Sequence, residues 1–104
     1  MRFLLKFKIP VESGNDAWKE GSFVERLQNL LNEVEADDAY FGIIDGHRGG
    51  FVVVNIDNPS DIMKISGPFL FWLNAEVQYY PVMKIDEMRK GEQRVLDIID
   101  KWYK

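Results

Sequence analysis

Apolar and other residues alternate through the first nine positions. Phe3, Leu5, Phe7 and Ile9 fall on one side, and Arg2, Leu4, Lys6 and Lys8 on the other. This two-residue period predicts a strand over residues 2–9 with one strongly apolar face, stopped by Pro10. Residues 11–21 are polar, and Ser13, Gly14, Asn15 and Asp16 suit either a turn or a short lead-in helix. From Ser22 the period becomes helical, with Phe23, Leu27, Leu30, Leu31 and Val34 on one stripe. Ser22 and Glu25 stand at capping-box spacing at its start, and Asp37-Asp38 follow its end. Two β-branched and aromatic runs between Tyr40 and Ile56 flank Asp45-Gly46-His47-Arg48-Gly49-Gly50, which predicts a hairpin that turns in the glycine-rich segment. Asn58-Pro59-Ser60-Asp61 predicts a second helix with proline at its first position. Ile62, Met63 and Ile65 are its buried side and Gly67-Pro68 its end. Phe69 to Leu73 then reads as an irregular approach to a fourth strand over 74–82, placed at a sheet edge by Pro81. Beyond it, Met88, Val95, Ile99 and Trp102 mark an amphipathic helix over 86–104.

The order strand, helix, strand, strand, helix, strand is the ferredoxin-like βαββαβ arrangement, an α+β fold with a four-stranded antiparallel sheet. Its first and third strands are central and its helices cover one face. The expected organisation is one core over residues 1–83 and a helical extension of the same domain over 84–104, which suits a chain of 104 residues. The other sheet face is left bare. It carries Lys6 and Lys8, then Phe51, Val53 and Asn55, then Glu76, Gln78 and Tyr80. A surface half apolar and half paired charge suits packing on a second copy, so a homodimer is expected, with further assembly left open. The plainer alternative is a solvated face with scattered apolar residues.

Composition removes several functions. A net charge of -4 offers no basic stripe for nucleic acid. The chain has no cysteine, so disulfides and thiolate chemistry are excluded and a reducing cytoplasm fits. The N-terminal apolar run is too short and too charged for a signal peptide or a membrane span. With one histidine, no cysteine and aspartates at 37, 38, 57 and 61 without calcium-loop spacing, no metal is expected. No cofactor is expected either, because Gly46, Gly49 and Gly50 lie between two strands rather than before a helix.

The remaining candidates for chemistry are few. His47, with an unperturbed pKa of about 6.5, is the side chain suited to proton exchange at neutral pH, although its plain reading in a glycine-rich turn is an exposed loop residue. Arg48 offers a bidentate fork for a carboxylate. Glu76, Tyr80 and Tyr40 offer a base and hydroxyl donors, while pairing with Lys6 or Lys8 accounts for Glu76 more simply. Trp18 and Trp72, with Phe69 and Phe71, wall either a ligand pocket or the core.

The opening Met-Arg-Phe-Leu-Leu-Lys-Phe-Lys-Ile-Pro, the run Ile44-Asp45-Gly46-His47, the segment from Val53 to Ser60 and the segment from Gly67 to Val77 resemble the muconolactone isomerase-like proteins. The resemblance extends to small proteins of the same dimeric α+β barrel group whose last strand reads like Val77-Gln78-Tyr79-Tyr80-Pro81-Val82, and it covers residues 1 to about 83. It implies sheet-to-sheet association and a small pocket for lactones or similar organic molecules. The expected function is binding, or isomerising by cofactor-free proton transfer, a small organic molecule. The pocket is expected near Trp18, His47, Trp72 and Tyr80, with Tyr40, Arg48 and Glu76 beside them. The alternative is a noncatalytic assembly or ligand-sensing protein whose C-terminal helix sits on its partner.

Overall fold

A computed structural model describes residues 1–103. Eight elements follow one another: β1 (Arg2–Ile9), α1 (Val11–Lys19), α2 (Phe23–Glu33), β2 (Asp38–Ile44), β3 (His47–Asn55), α3 (Ser60–Leu73), β4 (Glu76–Pro81) and α4 (Ile85–Tyr103). The four strands form one antiparallel sheet in the order β2-β3-β1-β4. This is roughly the ferredoxin-like α+β arrangement, with β1 and β3 central and β2 and β4 at the edges, and with two helices added to it, α1 ahead of α2 and α4 after β4.

The register assigns every strand residue to a face. Leu5 lies opposite Val52 and Tyr79, and Phe7 opposite Gly50 and Val77. Gly50 in turn faces Phe41, and Arg48 faces both Ile9 and Ile43. These residues line the helix side, where Leu5, Phe7, Ile9, Val52 and Val54 are buried with Phe69 and Leu73 of α3. A helix-side hydrogen bond ties α3 to β4: the Tyr79 hydroxyl donates to the Ile62 carbonyl and meets the Ser66 hydroxyl. Burial raises the Tyr79 pKa, with the Ser66 contact opposing it.

Of the two readings open for the polar stretch after Pro10, the helix forms: α1, of nine residues. Its Gly14 is buried because Arg48 lies against it, with Nη1 only 2.9 Å from where a Cβ would stand. Three other local expectations are corrected. The capping box of α2 does not form; Ser22 is the N-cap residue but its side chain makes no capping bond. At φ −119° and ψ 16°, Ser22 is outside the usual extended cap conformation, which leaves its hydroxyl without the reach to the third residue. The hairpin turns on two residues only, Asp45 (φ 53°) and Gly46 (φ 79°), as a tight two-residue loop requires. His47, Arg48, Gly49 and Gly50 therefore belong to β3. Gly50 is in the strand because the rings of Phe7 and Phe41 close over the position where a side chain would start.

The third correction is the largest. α3 does not end at Gly67-Pro68 but runs on to Leu73. An interior proline costs about 3 kcal/mol, yet continuing the helix buries Phe69 and Leu73 completely. Each such side chain contributes roughly 1.5–3 kcal/mol, so the packing wins. The helix stops at Asn74, whose left-handed backbone (φ 52°) lets its N–H reach the Leu70 carbonyl at 3.1 Å while Ala75 reaches Phe69 at 3.2 Å. At the other end, the Asp61 carboxylate accepts from the N–H groups of Asp57 and Asn58, and Pro59 is the cap residue rather than the first helical one, so that α3 starts at Ser60.

Helix α4 is different in kind. None of its residues is buried. It is joined to the core by an ion pair between Arg2 and Glu87, which holds the Glu87 carboxyl below its ordinary pKa. At about 1.5 Å per residue its length approaches 30 Å, and the molecule accordingly measures 61 Å along its longest axis against 27 and 21 Å across.

Candidate ligand-binding site

The helices approach the sheet unevenly. α1 and α3 lie close to β3 and β4, respectively, and to each other. α2 reaches the core through Phe23 and Leu27. Between α2 and the β2–β3 end of the sheet lies a cavity of about 420 Å³. Phe7 and Ile9 form its floor, Leu27 and Leu31 its roof, and Trp18, Phe41 and Ile43 its rim. Trp18 is 48% exposed and stacks on Phe23 with ring centroids 5.0 Å apart. Phe23 continues to Trp72 at 5.6 Å, and the Arg26 guanidinium lies 4.5 Å over the Trp72 ring. Trp72 therefore braces the back of the aromatic row rather than facing the cavity.

Two lining side chains carry strongly polar groups, Gln28 and Arg48. Arg48 donates from Nη1 to Asn15 Oδ1 at 2.9 Å. Among the described residues no carboxylate lies within ion-pairing distance of it. Its position on the helix side follows from the register, between Ile9 on β1 and Ile43 on β2. A strand cation flanked by aliphatic residues and half covered by α1 keeps its guanidinium at the cavity wall.

The other expected site residues point away. His47, Tyr40, Glu76 and Tyr80 lie on the open face, one register step from the cavity residues. The single cluster of Trp18, His47, Trp72 and Tyr80 is not formed, because adjacent strand positions face opposite sides. His47 begins β3 and donates from Nδ1 to the Asp45 carbonyl at 3.0 Å. Tyr40 donates to Asp38 at 2.9 Å, and that carboxylate raises its pKa. Tyr80 donates to Gln78 at 3.0 Å. Glu76 pairs with Lys8 at 3.4 Å, and Asp45 with Lys6 at 3.2 Å and Lys8 at 3.7 Å. The two lysines hold the Asp45 carboxyl below its usual range. Around this charge row stand Leu4, Phe51, Val53 and Ile44, half-buried, with Tyr40 and Tyr80 exposed.

Phe41 and Ile43 are among the cavity residues that sequence reasoning missed. Their signal was present in the alternation Ala39, Phe41, Ile43 along an edge strand, which marks the helix-facing side of β2. Among the described residues no group of three or more histidines, aspartates or glutamates gathers to hold a metal. No described helix is long and apolar enough to cross a membrane. No curated protein matches the chain. Residues 1–96 match the family model described as a domain of unknown function, DUF3303, and the chain belongs to that family.

Proposed function

We propose that this chain is a cofactor-free binding protein for a small apolar organic molecule, held between α2 and the β2–β3 end of the sheet. The observation that carries the reading is the 420 Å³ cavity with its almost wholly apolar lining. Its volume falls in the range of small-molecule sites, which are mostly apolar with a few polar groups. Binding suits the site better than isomerisation, because His47, Glu76 and Tyr80 have their side chains across the sheet from it. The likeness to muconolactone isomerase-like proteins belongs to this proposal as far as the pairing of open sheets and the small-molecule pocket.

Self-association is the second part of the reading. The open face offers Leu4, Phe51, Val53 and Tyr80 beside a charge row, a mixture suited to a second copy. α4 favours the same partner, since a lone helix of this length is marginal in water and packs an apolar stripe somewhere. In this proposal it lies on the second copy.

Titration of the full chain with octan-1-ol, followed by tryptophan fluorescence, tests the binding reading. Burial of the alkyl chain at about 0.8 kcal/mol per methylene predicts a saturable, sub-millimolar response. A response that rises linearly without saturation would contradict it.

A further inference from the structure

We infer that the cavity selects an apolar carboxylic acid, with Arg48 holding the carboxylate. The inference rests on the proposed binding function and adds the chemical class of the ligand. Arg48 is a cation in an apolar wall, and its one hydrogen bond to a side chain is to the neutral amide of Asn15. Among the described residues, each ion pair joins another lysine or arginine to an acid on the surface, and none includes Arg48. A guanidinium carries five N–H donors in a planar fork, and one bond to Asn15 leaves most of them unused. Arg48 is half-buried, held between Ile9 and Gly14 on one side and open on the other at the exposed Phe41 and Ile43 rim, where an incoming anion can reach it. The fork matches a carboxylate, and its contact with an ionised acceptor is roughly twice as strong as with a neutral one.

The rest of the cavity sets the remainder of the ligand. Floor and roof are aliphatic and phenyl side chains, so the acid carries an alkyl or aryl body. The carboxylate sits beside Gly14 and Asn15, in the middle of α1. There the absent Cβ of Gly14 makes room for the arginine, which an alanine would displace. The body extends beneath Leu27 and Leu31 toward the Trp18 rim.

The test compares octanoate with octan-1-ol on the full chain at neutral pH and low salt. Octanoate is expected to bind about tenfold tighter or more, as a charge-assisted contact predicts. In Arg48→Met the preference for the acid over the alcohol should be lost. Ile43→Glu gives a second route that spares the fold, because Ile43 is 73% exposed and lies directly across from Arg48. Its carboxylate should satisfy the guanidinium and abolish the preference for octanoate. Equal affinities in the parent chain, or a preference that survives both substitutions, would overturn the acid while leaving the pocket standing. Saturable binding of neither probe, the outcome expected if a helix of a second copy fills the groove, would overturn the pocket as well.

Discussion

Phe69→Ala is expected to lower stability by about 3–5 kcal/mol, the usual cost of emptying a core phenylalanine site. Phe69 is fully buried, and its ring lies 4.9 Å from that of Phe7, so little can move in to fill the gap. A domain of this size has roughly 5–15 kcal/mol in total. The melting temperature should therefore drop on the order of 15–30 °C. Two residues on, Phe71 is 93% exposed. Phe71→Ala should change stability by no more than about 0.5 kcal/mol. The contrast depends on α3 continuing through Pro68, since the helical turn separates these two positions onto opposite sides. Thermal unfolding of both variants measures it, and equal losses would mean that the segment is not helical.

On the self-association proposed above, Ile99→Asp is expected to convert dimer to monomer at micromolar concentration. Ile99 sits with Val95 and Trp102 on a stripe of α4 that its own domain leaves uncovered. A carboxylate placed in a covered apolar interface removes a contact worth about 2–4 kcal/mol where it is a hot spot. The dissociation constant should then weaken by roughly 30-fold to 1,000-fold. The protomer itself should be unaffected, because no core residue touches this position in the sheet-and-helix packing. Sedimentation equilibrium reads the effect. A parent chain that is monomeric, or a variant that dimerises as tightly, would remove α4 from the interface.

The alternation from Phe3 to Ile9 and the hairpin residues made the sheet legible, because a period of two has one structural meaning when the apolar set is this clear. Helix α2 was legible for the same reason at the helical period. The course of α3 was not, since local proline chemistry argues for a stop at residue 67 and the burial of Phe69 and Leu73 argues against it. Only the assembled core settles which is larger. The site suffered from a subtler problem. His47 and Arg48 are adjacent in sequence and were expected to act together, but a strand sends neighbours to opposite faces once the turn is confined to Asp45 and Gly46. Misjudging the turn by four residues moved His47 into a loop and hid the partnership of Arg48 with Ile43 and Gly14. Trp18 was found because a large aromatic in a polar stretch stands out, whereas Phe41 and Ile43 were absorbed into an apolar run that reads as core.

In the proposed function the two sheet faces do different work, one for a ligand and the other for a second copy. Methyl-resolved NMR of the full chain titrated with octanoate tests that division most directly, since both faces carry reporters. The account predicts that the methyl signals of Val24, Leu27, Leu31 and Ile43 shift together and saturate, while those of Leu4, Ile44 and Val53 stay in place. Saturating shifts confined to Leu4, Ile44 and Val53 would put the ligand on the open face and contradict it.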